Sequence, residues 1–301
     1  MAGYSEEEDY ALEPVSDTEK LSIATHMLMS SPPGQFLDVL EDVRKLLPEG
    51  LLDDARAQQV AQAYNAKEGV IVEVGDRTAV LAAEGTEPSG EFRDSQGGGG
   101  VFAVDHVKAQ VIGEGSAGVE DAAPNPAAEE QRQALQESLE AYRDTHFSVA
   151  QHSATSVFAN HGAGLVVYVS ARKYNLRNWW SGAWSGRYTV EVNEGSAEVR
   201  GTITVRGHYF ENGNIQLQTS KEVEAKTVKY SCSKSLAEAV VSYIKESESA
   251  LHEGLEDMYE KMPDVTLRSM RRTKPITAER FTWNVAKIRM RNTLTQAATG
   301  K

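Results

Sequence analysis

Between residues 147 and 225 the chain runs in alternating apolar and polar residues, broken by turns too short to hold a helix. Parallel strands need a crossover of a dozen or more residues, so this stretch predicts an antiparallel sheet and excludes a doubly wound one. Tyr188, Val190 and Val192 form one series, and Val199, Ile203, Val205 and Tyr209 form another that Gly201 interrupts. Ile215 and Leu217 resume after Glu211-Asn212-Gly213-Asn214, and Asn-Gly between alternating runs marks a hairpin. With residues 147 to 159 and 164 to 171 added, five antiparallel strands are expected.

Helical periodicity frames this region. Downstream, Leu236, Val240, Tyr243, Ile244, Ser247, Leu251, Leu255, Met258 and Met262 keep one stripe until Pro263. A helix approaching 30 residues spans about 45 Å, enough to cross a sheet, although Gly254 weakens it by about 1 kcal/mol relative to alanine. Upstream, Asp17 is the expected cap of a first helix carrying Leu21, Ile23, Met27 and Leu28, which Ser31-Pro32-Pro33-Gly34 stops. Phe36, Val39, Leu40, Val43 and Leu47 predict a second helix, and Leu52, Val60 and Tyr64 a weaker third after Pro48 and Gly50. Short strands are expected at residues 70 to 74, 78 to 82 and 101 to 111, around a loop holding Gly97 to Gly100. A linker over 113 to 127 then leads into a helix from about 128 to 145, with Leu135, Leu139 and Tyr142 at helical spacing.

The charge is unevenly placed. The 301 residues carry a net charge of −13, yet residues 261 to 301 hold ten basic residues against two acidic ones, a net +8, leaving −21 on the rest. Free nucleic acid is a poor partner for such a body. A basic tail on an acidic body seeks an acidic surface on another macromolecule or a membrane. At the other end, Glu6, Glu7, Glu8, Asp9 and Glu13 read as a self-repelling, disordered leader. Cys232 is the one cysteine and no signal-type apolar run is present, so a reduced intracellular compartment is the expectation.

Chemical motifs are weak. Gly113-Glu114-Gly115-Ser116-Ala117-Gly118 matches GxGxxG in letters, but Pro124 and Pro126 follow where a dinucleotide fold needs a helix to receive the pyrophosphate. The glycines at 97 to 100 lack the lysine of a phosphate loop. Seven scattered histidines show no metal-ligand spacing, and Cys232 has no nucleophile signature around it. No convergent catalytic constellation is found, so a non-enzymatic protein without cofactor or metal is expected.

Two features read as surfaces for assembly. Three of four tryptophans, Trp179, Trp180 and Trp184, lie in Asn178-Trp179-Trp180-Ser181-Gly182-Ala183-Trp184 before a strand; with Tyr209 they suit either a core plug or a dimer contact. In the tail, Phe281, Val285 and Ile288 share one helical face while Arg280, Lys287 and Arg291 share the neighbouring one. Pro275 separates this amphipathic segment from Arg268, Arg271 and Arg272, which suggests a mobile arm. A membrane-surface module acting through this basic helix on acidic phospholipid is the alternative reading.

Four stretches carry a family resemblance: Ser31-Pro32-Pro33-Gly34-Gln35-Phe36 with Asp42-Val43-Arg44, the tryptophan segment, His208 to Leu217, and Arg271-Arg272-Thr273-Lys274-Pro275-Ile276-Thr277 with Trp283-Asn284. Together they resemble the F-actin-capping protein alpha subunit family, in order and spacing from about residue 20 to 291. The resemblance implies an α+β fold with an N-terminal helical stalk, a five-stranded antiparallel sheet crossed by a long helix, and a C-terminal amphipathic arm. It implies a cytoplasmic, cytoskeletal protein that pairs with a capping protein beta subunit and blocks the barbed end of actin filaments without calcium. Actin contact would fall to Arg268, Arg271, Arg272, Arg280, Phe281, Trp283 and Ile288, with acidic phosphoinositides competing for the basic residues. Ala278 and Glu279, where the family often has a base, and Ala183 depart from the pattern. The expected organisation is a leader over 1–16, a stalk over 17–66, a β and linker region over 67–127, the sheet with its helices over 128–262, and the arm over 263–301.

Overall fold

The computed structural model describes residues 15–87, 89–95, 100–114, 126–159, 164–211 and 214–261. It divides after Lys245 into a larger unit and a smaller one that begins at Glu246. Three helices open the larger unit: α1 (Asp17–Met29), α2 (Phe36–Leu46) and α3 (Asp54–Glu68). The cap of α1 is Ser16 rather than Asp17, because Ser16 and Glu19 form a reciprocal capping box that frees Asp17 to sit in the first turn. Asp53 caps α3, so Leu52 precedes that helix instead of lying on it. Ala24, Leu28, Phe36, Leu40, Val43, Leu52, Ala57, Ala61 and Tyr64 close a common core among the three helices.

A small β region follows. Strands β1 (Val70–Val74) and β2 (Arg77–Leu81) form a hairpin, and β3 (Phe92–Arg93), β4 (Val101–Asp105) and β5 (Gln110–Glu114) form a three-stranded sheet. The single strand expected over 101 to 111 is therefore two, and the supposed linker at 113 is still strand. The break is polar: Gln58 on α3 donates to the Asp105 carboxylate at 2.8 Å and accepts from the His106 amide at 2.8 Å. One turn-pair along, Asn65 donates to the His106 carbonyl at 2.8 Å, so the third helix fixes the β4–β5 turn through its polar face.

Helix α4 (Pro126–His146) starts at a proline whose missing N–H a helix end does not need. The main sheet has the order β10-β9-β8-β7-β6, every neighbour antiparallel, from β6 (His152–Ala159), β7 (Gly164–Asn175), β8 (Trp180–Asn193), β9 (Ser196–Tyr209) and β10 (Ile215–Lys229). Five strands were expected and five form. The first starts five residues later than expected, since Phe147 still bonds back to Arg143 at the end of α4. The tryptophan segment is strand from Trp180 onward rather than a prelude to one, because β8 begins at Trp180. Gly201 is where Tyr188 crosses β9: a Cβ there would lie 2.5 Å from that fully buried ring.

One edge of the sheet is covered, and among the described residues no strand pairs with the other. Against β6, α4 places Gln136, which donates to the Thr155 carbonyl at 3.0 Å, and β2 bonds to Ser153 and Ser156. At the far edge β10 runs 15 residues with almost every side chain exposed. Helix α5 (Ser233–Lys261), 29 residues, matches the long stripe. In the larger unit it buries Leu236, Ala237, Val240 and Ile244, and Tyr243 donates to the Glu224 carbonyl on β10 at 2.7 Å. In the smaller unit the same stripe continues with Leu251 buried, while Met258 and Tyr259 are exposed.

Candidate functional site

The best-built cluster joins the helices to the sheet, and it is made of charges. Arg172 on β7 and Arg206 on β9 are 3% and 7% exposed. Arg206 meets the Glu68 carboxylate at 2.8 Å and donates to the Ser31 carbonyl at 2.9 Å. Arg172 donates to the carbonyls of Glu68 and Gly69, the latter at 3.0 Å, and Ser185 and Ser170 also donate to these two carbonyls. The ends of α1 and α3 thus aim their unpaired carbonyls and negative dipole ends at two guanidiniums. Tyr64 donates to the Ser31 carbonyl at 3.2 Å, and its hydroxyl is pushed far above its ordinary range by burial, then by the Glu68 charge. At the start of α2, Gln35 bonds His208 at 2.8 Å, and the other ring nitrogen meets Asn214 at 3.1 Å.

This cluster was missed in the sequence. Arg206 and His208 alternate with Val205 and Tyr209, so the apolar pattern assigns them to solvent; the structure buries the even positions here and leaves Tyr209 48% exposed. Only the run Arg172, Arg206 and His208 inside strands offered a hint, and alternation alone cannot say that a second layer covers that face.

The tryptophans divide between two environments. Trp180 pairs across β9 with Tyr209, which pairs with Ile215 on β10. Trp184 is half-buried, 6.2 Å from the Phe147 ring, and its buried indole N–H has no partner. Trp179 is 50% exposed, packed edge-on against Phe210 at 5.6 Å. With Tyr209 and Ile215 it makes an exposed apolar end beside the open β10 edge.

A third cluster ties the small β region to the sheet. Tyr168 donates to Glu84 at 2.6 Å, and Arg187 donates both to that carboxylate at 2.6 Å and to the Tyr168 oxygen at 2.9 Å. Burial works to raise the Glu84 carboxyl, but the bonds from Tyr168 and Arg187 prevail and hold it below its usual range. Among the described residues no group of three His, Cys, Asp or Glu could hold a metal, and no helix is long and apolar enough to cross a membrane. Cys232 is exposed, its thiol held below its ordinary range first by the backbone hydrogen bond with Ser235. The tail residues Arg268, Arg271, Arg272, Arg280, Phe281, Trp283 and Ile288 lie outside the described residues, as do residues 1–14 of the leader and residues 115–125.

Among the described residues the antiparallel sheet thus has one covered edge and one unpaired edge, with exposed Trp179, Tyr209 and Ile215 at the end of the latter. Residues 24–293 match the family model of the F-actin capping protein alpha subunit, and the chain belongs to that family. F-actin-capping protein subunit alpha of Dictyostelium discoideum is 30% identical over 274 residues, covering 90% of this chain and 96% of that protein. The Caenorhabditis elegans subunit is 30% identical over 282 residues, covering 90% and 95%. The homodimeric actin capping protein alpha subunit of Plasmodium berghei shares the fold with a TM-score of 0.70 at 21% identity, covering 87% of this chain and 99% of that one.

Proposed function

We propose that the chain is the alpha half of a dimeric cap that binds the barbed end of actin filaments and blocks subunit addition and loss. The observation that carries this reading is the family match, which extends from residue 24 to 293 and so includes the basic segment. The partner is a capping protein beta subunit, paired along the open β10 edge with Trp179, Tyr209 and Ile215 at its end. Strand addition satisfies the unpaired edge and removes the apolar patch from water.

The mechanism is steric and the arm supplies the grip. Arg268, Arg271, Arg272 and Arg280 steer the cap to acidic actin, while Phe281, Trp283 and Ile288 slow its release by apolar burial. Calcium plays no part, and the protein works in the cytoplasm on the cytoskeleton. Acidic phosphoinositides compete for the same arginines, less strongly where Ala278 and Glu279 replace bases. The test is dilution-induced depolymerisation of filaments with the Arg268→Glu/Arg272→Glu variant. Barbed-end affinity is expected to fall at least about tenfold, the scale of two lost ionic contacts in a desolvated interface; equal protection by the variant removes the arm from the mechanism.

The basic helical pattern of residues 280–291 also supports a membrane-surface reading. Cosedimentation with acidic liposomes, with and without residues 263–301, separates the two, because actin capping persists without lipid. The Plasmodium relative is described as homodimeric, and β10 is equally open to a second copy. Size exclusion of the chain expressed alone and coexpressed with a beta-type subunit distinguishes these partners.

A further inference from the structure

Where α2, α3, β1, the β4–β5 turn and the main sheet meet, the larger unit holds an open cavity of about 800 Å³. Phe36, Tyr64 and Tyr174 give it aromatic walls, and Lys108, His152 and Arg172 line it as well. Tyr174 can lie there because residue 34 is glycine: its φ is +77°, and a Cβ would stand 3.0 Å from the tyrosine ring. Two properties of this cavity are unexplained by the fold or by capping.

The first is charge. Of the two buried guanidiniums, Arg206 meets the Glu68 carboxylate at 2.8 Å, whereas Arg172 meets Glu68 only at its backbone carbonyl. Arg172 has carbonyls and the Ser185 hydroxyl for partners, and its buried Nε has none. Arg172 is thus held by carbonyls and a hydroxyl, with no carboxylate bonded to it among the described residues, and its buried Nε–H is left without an acceptor, which is costly. Lys108 lines the cavity as well, 62% exposed and only loosely held by Asp105 at 3.5 Å, with His152 half-buried nearby. The second property is the mixture itself, since a few basic and polar groups set among aromatic and aliphatic walls is how small-molecule sites fix one end of a ligand. Glu73 also lines the cavity, which disfavours polyanions and leaves room for a single acidic group.

We propose that this cavity binds a small organic anion: an aromatic or apolar body bearing one carboxylate or phosphate, the anionic end drawn toward Arg172, Lys108 and His152. The occupant would bridge helices, hairpin and sheet, and so stiffen the joint on which the helical layer stands. The inference is independent of actin and of the partner subunit.

Calorimetric titration of the full-length chain, with a beta-type subunit if solubility requires it, uses benzoate, phenyl phosphate, inorganic phosphate and neutral benzyl alcohol as probes. At least one aromatic anion is expected to bind with a dissociation constant of about 1 mM or below, and benzyl alcohol about tenfold more weakly. Benzoate against phenyl phosphate distinguishes carboxylate from phosphate ligands; inorganic phosphate binding as tightly as phenyl phosphate would deny the aromatic walls a role and overturn the proposal. Lys108→Glu and His152→Ala are each expected to weaken binding about fivefold, the scale of one partly exposed ionic contact. These rim variants keep the test valid if Arg172→Gln does not fold. No binding of either aromatic anion at 10 mM (about 2.7 kcal/mol by affinity arithmetic), or binding indifferent to both rim variants, overturns the proposal.

Discussion

Glu68 supplies the carboxylate that meets the buried Arg206, with both side chains 7% exposed. Glu68→Gln leaves Arg206 buried without its carboxylate, so unfolding stability in urea is expected to drop by about 3 kcal/mol. Arg200→Ala is the control, because its partner Glu191 is 2.7 Å away but both side chains are more than half exposed; its cost stays under about 1 kcal/mol. The Glu84 clamp has a pH signature. Its folded carboxyl is depressed below the usual 4.5, so its stabilisation is fully present above that value and is lost as pH falls through the depressed one. Acid titration followed by circular dichroism should show a shallower loss below pH about 4.5 in Glu84→Gln than in the parent; an identical acid transition removes this clamp from the acid response.

At the scale of elements, alternation and helical stripes gave the number of main-sheet strands and the long helix, while the starts of β6 and β8 fell several residues from where they were expected. Two other departures share a cause. Ser16 displaced Asp17 as a cap through a side-chain pairing, and the 101–111 strand split because polar residues of α3 hold its middle. Neither partner is visible in a hydrophobic pattern. Gly201 looks in the sequence like a weak point of β9, whereas it is the space that Tyr188 fills. Gly201→Ala is therefore expected to lower stability by about 2 kcal/mol, as overpacking does, against a few tenths for an open surface site. Thermal melts of Gly201→Ala beside Gly182→Ala, where the nearest foreign atom to a Cβ is 3.9 Å away, check this.

For the whole molecule the unequal charge is the organising fact: −21 on residues 1–260 and +8 on the remainder. If the arm steers the cap to actin, the association rate falls steeply between about 50 and 200 mM salt, as exposed charges are screened within a Debye length of roughly 10 Å. Arg268→Glu/Arg272→Glu should flatten that dependence while leaving the circular dichroism spectrum unchanged. A salt slope equal to that of the parent would assign steering elsewhere.

The tail's charge and its helical spacing are legible because both are local properties that need no fold to exist. The family was legible for a similar reason, through short contiguous runs such as His208 to Leu217. Local periodicity also determined the element types, since a residue's face in a strand or helix follows from its neighbours in the chain. Only the tertiary structure decided that Arg172, Arg206, Glu68 and His208 would be buried together, which strand edge would stay open, and that a cavity would form among helices, hairpin and sheet. Those outcomes depend on which layers meet, and residues over 100 positions apart, as with Glu68 and Arg206, share no pattern until packing brings them into contact.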